Sequence, residues 1–86
     1  MYFVYVLYSV DFDRSYVGIS QNVEKRLFQH NNGLNQSTKA FVPWIVVHKE
    51  DCVTIQEARN REKYLKSAAG RRWRKSNIIW PRGATE

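Results

Sequence analysis

The run Tyr2-Phe3-Val4-Tyr5-Val6-Leu7-Tyr8 is apolar at odd and even positions alike and rich in aromatic and β-branched residues, the pattern of a strand covered on both faces. Such a strand belongs in the middle of a sheet, with neighbours on either side and elements packed above and below. Asp11-Phe12-Asp13-Arg14 reads as a turn, and Ser15-Tyr16-Val17-Gly18-Ile19-Ser20 as the antiparallel partner. With the loop running from Val10 to Asp13, Ser9 faces Arg14, Leu7 faces Tyr16 and Tyr5 faces Gly18. Tyr5, Leu7, Tyr16 and Gly18 then share one face, with the two tyrosines diagonal neighbours. Gly18 leaves a notch beside Tyr5 where a ligand can approach the backbone.

The remaining elements follow from caps and periodicity. Ser20 or Asn22 caps a helix from about Val23 to Asn31, and Asn31-Asn32-Gly33 stops it. Val23, Leu27 and His30 form its apolar stripe, and Arg26 and His30 point together along the margin. Gly33 to Lys39 is polar, a loop suited to lie over a site. Phe41 to Glu50 contains a third strand, with Pro43 at its start. Thr54 and Glu57 form a capping box for a helix whose inward stripe is Ile55, Ala58, Glu62, Leu65 and Ala69. Gly70 is expected to end that helix, with a last basic helix over Arg71 to Ile79. The reading is one domain over residues 1–80 and a tail over 81–86.

Composition narrows the classes. At 86 residues, 43% hydrophobic and 26% charged, the chain is a small folded domain rather than a disordered one. The apolar start lacks a basic leader region and is too short to span a bilayer, and the single Cys52 permits no internal disulfide, so the expected location is the cytoplasm. Charge is uneven: residues 1–58 hold five Lys/Arg against six acids, a net of −1, whereas residues 59–86 hold nine against two, a net of +7. In that basic third Arg71, Arg72, Arg74 and Lys75 are interleaved with Trp73, a mixture that neutralises phosphates and offers a ring for stacking. A solvated basic helix is the plainer reading of the same residues. No strongly apolar face opposes them, which argues against an acidic membrane surface.

Two phenols, a glycine, a guanidinium and an imidazole recur at Tyr5, Tyr16, Gly18, Arg26 and His30, a set suited to phosphodiester chemistry. Glu62 joins them because its stripe assigns it to the inner side of a helix. A carboxylate there needs a partner, either a cation or a salt bridge such as one to Arg26, since removing one partner of a buried pair costs about 3–5 kcal/mol.

In this order and spacing, Val4-Tyr5-Val6, Tyr16-Val17-Gly18, Arg26, His30 and Glu62 resemble the GIY-YIG endonuclease family, from about Tyr2 to Ile79. The stretches Arg26 to Asn31 and Glu57 to Lys66 are similar to its small stand-alone bacterial subgroup, related to the nuclease domain of the excinuclease. Phe3 or Val4 stands where the family's name-giving glycine and isoleucine would be, a replacement common in that subgroup. The resemblance implies an α+β fold, a three-stranded antiparallel sheet flanked by helices in the order β-β-α-β-α-α. It also implies hydrolysis of a phosphodiester with one divalent ion, Mg²⁺ or Mn²⁺, held by Glu62. Arg26 would neutralise charge on the phosphoryl oxygens. Tyr5 would take the proton of the attacking water, with Tyr16 and His30 positioning or sharing it. A phenol of pKa about 10 is a poor base at neutral pH, so either Arg26 or the ion favours its phenolate or His30 is the base. Asn77 matches a late asparagine of some members and would orient a water or a phosphate; capping its helix is the alternative.

Other residues have plainer readings. His48 is a structural histidine without ligand-spaced companions, Cys52 an unreactive thiol beside acids, and Trp73 suits packing and nucleic-acid contact equally. Thr38 and Lys39 are placed to touch a nucleic-acid backbone from the loop. The chain therefore reads as a metal-dependent endonuclease acting on nucleic acid, most readily DNA of branched, flapped or damaged form, in repair or recombination. A partner protein that supplies targeting is compatible with this reading, and the oligomeric state is open. The alternative is a non-catalytic nucleic-acid-binding module on the same scaffold.

Overall fold

Alternation within one strand organises the molecule. In a computed structural model, which describes residues 1–85, β1 (Tyr2–Ser9) lies between β2 (Arg14–Ser20) and β3 (Ile45–Cys52), antiparallel to both. The central place expected from two-sided hydrophobicity is the one observed: Val4 to Ser9 are all buried. The β1–β2 register is also as read, with Tyr5 opposite Gly18 and Leu7 opposite Tyr16. In the turn, Asp13 adopts a φ of 51°, a left-handed conformation that aspartate tolerates better than most residues. Its carboxylate accepts from Tyr8 Oη at 2.5 Å. It also takes bonds from the amide and hydroxyl of Thr85, so the expected tail returns to the hairpin.

The two faces of the sheet bury different things. Val4, Val6 and Val17 pack with Ala58 and Leu65 of α2 (Ile55–Lys66) and with Ile78, which follows α3 (Ala68–Asn77). Tyr5 and Leu7 face the other way, onto Val23 of α1 (Val23–Asn31) and Trp44. Each aliphatic side chain buried this way contributes about 1.5–3 kcal/mol. The element order is β-β-α-β-α-α, as the resemblance implies, with one turn of 3₁₀ helix at Lys39–Phe41 before β3. Among the described residues no helix is long and apolar enough to cross a membrane.

Several local expectations need correction. The third strand begins at Ile45 and runs on to Cys52, because the backbone of Trp44 is tied to Asn31 by two hydrogen bonds. α2 ends at Lys66, not at Gly70. Ser67 is extended, its amide donates to Tyr64 O, and its hydroxyl accepts from the Gly70 amide. One serine thus closes one helix and caps the next. Gly70 serves close approach: a Cβ there would sit 1.8 Å from Tyr64 O. The stripe of α2 is accordingly shorter than read, with Ala58 and Leu65 buried but Ile55 and Ala69 exposed. Thr54 and Glu57 do cap the helix, Glu57 bonding the amide of Val53.

Candidate active site

Both tyrosines and the histidine meet on the α1 side of the sheet. Tyr5 is fully buried, its ring 6.4 Å from that of Tyr16 and 6.1 Å from the His30 imidazole, and the rings of Tyr16 and His30 are 4.9 Å apart. Gly18 makes this arrangement fit. A Cβ on Gly18 would lie 2.6 Å from Tyr5 Oη and 3.0 Å from Tyr16 Cε1. The notch expected to admit a ligand is therefore filled by the Tyr5 phenol itself, because β1 and β2 bring the ring across the strand pair.

α1 delivers His30 and Arg26. Asn22 caps it, its side chain accepting from the Lys25 amide at 3.0 Å, and an acidic Glu24 sits in the first turn. One turn after Arg26, His30 is fully buried with Nε2 3.0 Å from Tyr5 Oη and Nδ1 2.7 Å from Thr38 Oγ1. The Thr38 hydroxyl donates to the Asn35 carbonyl at 3.5 Å, which leaves its oxygen free to accept from Nδ1–H. That tautomer presents a bare Nε2 to the hydroxyl of Tyr5. Burial, and secondarily the charge of Arg26, lowers the His30 pKa below 6.5, so the ring is neutral near pH 7. Burial raises the Tyr5 pKa above 10.0, and Arg26 opposes this only in part. Tyr5 is thus a phenol that donates to an imidazole able to accept.

Arg26 lies beside this pair. Its Nη1 donates to Gln29 Oε1 at 3.1 Å, while its buried Nε makes no hydrogen bond among the described residues. Glu62 reaches Tyr5 electrostatically from α2. Its Oε2 accepts from Lys66 Nζ at 3.2 Å, and its side chain is 27% exposed. Among the described residues the ion pair to Arg26 weighed for this carboxylate is not formed; Lys66 takes that place.

A family model described as the GIY-YIG catalytic domain matches residues 1–77, which include Tyr5, Tyr16, Gly18, Arg26, His30 and Glu62. The chain belongs to the GIY-YIG family. No curated protein and no solved structure matches it. GIY-YIG domains are nuclease domains, and their nucleases generally use divalent metal ions. The residues here fit such an ion on chemical grounds. Glu62 offers hard carboxylate oxygens at the rim of the cluster, its partner a flexible lysine. No group of three or more His, Cys, Asp or Glu that could hold a metal occurs among the described residues, so one carboxylate would have to suffice. Mg²⁺ accepts that arrangement, keeping waters and substrate oxygens in its shell.

The other expected residues are dispersed. Arg71, Arg74 and Lys75 line a cleft beside β2, while Arg72 is exposed outside its lining. Lys39 is exposed on the 3₁₀ turn. Trp73 is half-buried against the sheet, with the Arg61 guanidinium 4.5 Å from its ring centroid and His48 edge-on at 5.5 Å. Asn77 donates to Trp73 O at 2.9 Å, finishing its own helix. His48 is structural as read, bonded to Glu50 at 2.7 Å. Burial alone would raise the Glu50 carboxyl, but hydrogen bonds from Arg61 and His48 outweigh it and lower it. Cys52 is buried at the end of β3, and burial reinforced by Glu50 pushes its thiol up. Thr38, expected on an open loop, is 1% exposed. Its hydroxyl–imidazole contact and Lys66's hold on Glu62 were not drawn from the sequence. The i,i+4 spacing of Glu62 and Lys66 was the available signal for the second.

Proposed function

We propose that this domain is an endonuclease that hydrolyses phosphodiester bonds of nucleic acid, most readily DNA, with Mg²⁺ or Mn²⁺ held by Glu62. The observation that carries the reading is the buried Tyr5 Oη to His30 Nε2 hydrogen bond of 3.0 Å, with Thr38 behind it. A phenol, an imidazole and a hydroxyl in series give a proton a continuous path. Tyr5 takes a proton from the attacking water as its own passes to Nε2, so no free phenolate is required. The choice between Tyr5 and His30 as base then dissolves into one relay. Thr38, buried behind His30, is a positioning residue: it keeps the hydrogen on Nδ1 and hence Nε2 available.

Tyr16 packs against both members of the relay and holds their rings. Arg26 lies beside Tyr5 with its Nε hydrogen unspent among the described residues, and its guanidinium suits the charge that grows on phosphoryl oxygens. The ion, when bound, supplies Lewis acidity at the phosphate and leaving oxygen. Branched, flapped or damaged DNA is the proposed form of the substrate, with a partner protein supplying targeting.

The test is cleavage of labelled duplex, single-stranded, flapped and branched DNA, and of matching RNA, with Mg²⁺ or Mn²⁺. Wild type is expected to cut at least one DNA in a metal-dependent way, and Glu62→Ala to lose that activity by at least a hundredfold. Binding with no metal-dependent cutting of any substrate would replace this reading by the non-catalytic module.

A further inference from the structure

The basic third of the chain does not face one way. Helical geometry from Ala68 brings Arg71, Arg74 and Lys75 to the side that meets β2, with Arg71 and Lys75 one turn apart. Two adjoining cavities open there. One, of about 390 Å³, is lined by Arg14, Ser15, Tyr16 and Val17 of β2, Lys66 of α2, and Arg71 and Arg74 of α3. The other, of about 210 Å³, shares Ser15, Arg71 and Arg74 and adds Lys75 and Thr85. Among the described residues, every charged side chain lining either cavity is a cation.

Arg74 is part of the frame. It is 6% exposed, with Nε donating to Leu65 O at 3.0 Å and Nη1 to Ser15 Oγ at 2.9 Å. It satisfies a carbonyl at the end of α2 and ties α3 to β2, which fixes the cleft's width. Arg14, Arg71 and Lys75 are exposed around this frame. Arg14 is steadied by the Phe41 ring, 4.6 Å from its guanidinium carbon.

Two residues join the cleft to the candidate active site. Tyr16 lines it and stacks edge-on against His30 at 4.9 Å. Lys66 lines it and holds Glu62 at 3.2 Å. A groove bounded by cations, two of whose lining residues also touch the candidate active-site cluster, has the charge and the position for the next phosphate along the strand. An acidic peptide would match the charge but not the adjoining chemistry.

We infer that the β2–α3 cleft seats a backbone phosphate of the bound nucleic-acid strand adjacent to the one hydrolysed, with Arg14, Lys66, Arg71 and Lys75 as its donors. The inference rests on the nuclease reading above and adds where the strand leaves the site. Phosphate contacts of this kind position a strand without reading its sequence.

The experiment uses the full chain in a Glu62→Ala background, so binding is read without cleavage. Fluorescence anisotropy with a labelled single-stranded or flapped DNA is measured over a KCl series for that protein and for added Arg71→Ala, Lys75→Ala, Arg14→Ala, and, as controls, Lys25→Ala and Lys49→Ala. Each cleft substitution is expected to weaken binding several-fold and to reduce the slope of log K against log salt by about 0.7 to 0.9, the loss of one phosphate contact. Circular dichroism of each variant should match the parent, since the substituted side chains are exposed. Unchanged affinity and slope in the cleft variants, or equal losses in the two controls, overturns the inference. If wild type cuts DNA while the cleft variants bind normally, only this inference falls. If no nucleic acid binds even at low salt, the nuclease reading falls with it.

Discussion

The two faces of the sheet draw on alternate residues of one strand and use burial for opposite ends. Toward α2 and α3, Val4 and Val6 meet Ala58 and Leu65, side chains with nothing to donate or accept. Toward α1, Tyr5 is as fully buried as they are, yet it ends on an imidazole that ends on a hydroxyl. Apolar packing tolerates small shifts at a graded cost; a buried hydrogen-bonded series does not, because each displaced member leaves a neighbour unsatisfied. The contrast teaches that exclusion from water stabilises one face and sets proton affinities on the other, where the same burial lowers the His30 pKa and raises that of Tyr5.

Paired substitutions sharpen this contrast. Tyr5→Phe is expected to cut turnover about 10²–10⁴-fold, the usual worth of a positioned proton acceptor, while the free energy of unfolding falls by only about 1–3 kcal/mol for the unpaired Nε2. Single-turnover cleavage beside a urea melt checks both halves. Near-wild-type cleavage would remove Tyr5 from the relay. On the other face, Leu65→Ala should cost about 2–5 kcal/mol of stability. Turnover of the molecules that remain folded should be little changed; a specific loss of activity at full occupancy of the fold would break the division of labour.

Smaller effects probe the positioning residue. Thr38→Val keeps the shape and removes the acceptor for Nδ1–H, so turnover is expected to fall about tenfold or more, by about the 1–3 kcal/mol that an unsatisfied buried group costs. Thr38→Ser should restore it, and ¹⁵N chemical shifts of His30 should report the Nδ1–H tautomer in wild type and in the serine variant only. Failure of serine to rescue would mean that Thr38 acts by packing alone. The smallest effect concerns pH. The folded pKa of His30 lies below its ordinary 6.5, so the unfolded chain binds the proton more readily. His30's contribution to stability is complete above 6.5 and declines as pH falls toward the lowered folded value. Melts from pH 8 to pH 5 should lose less on acidification in His30→Gln than in wild type, and the acidic limb of the rate profile should lie below 6.5.

Much of this was legible in the sequence. The hairpin register followed from loop length and turn chemistry, which act over a few residues, and α1 ran between Val23 and Asn31 as its caps dictated. The break at Ser67 was not, because Gly70 is the more familiar stop signal and its reason here is a tertiary approach to Tyr64. That misplaced the start of α3 by three residues and with it the side on which each cation falls. Thr38 was hidden for a different reason: a threonine in a polar stretch reads as solvent-facing until the chain folds it back onto His30. The partner of Glu62 was half legible, since the stripe marked the carboxylate while an exposed lysine one turn later drew no notice.

Ser67 has a geometric consequence. With no loop between the helices, the carboxylate at position 62 and the cations at 71 and 75 move as one piece, like two marks on a rule. An extra residue at this junction would turn α3 by about 100° and carry its cations off the β2 side. Spacers of different length at position 67 would therefore test whether the domain measures its substrate by the interval between consecutive phosphates.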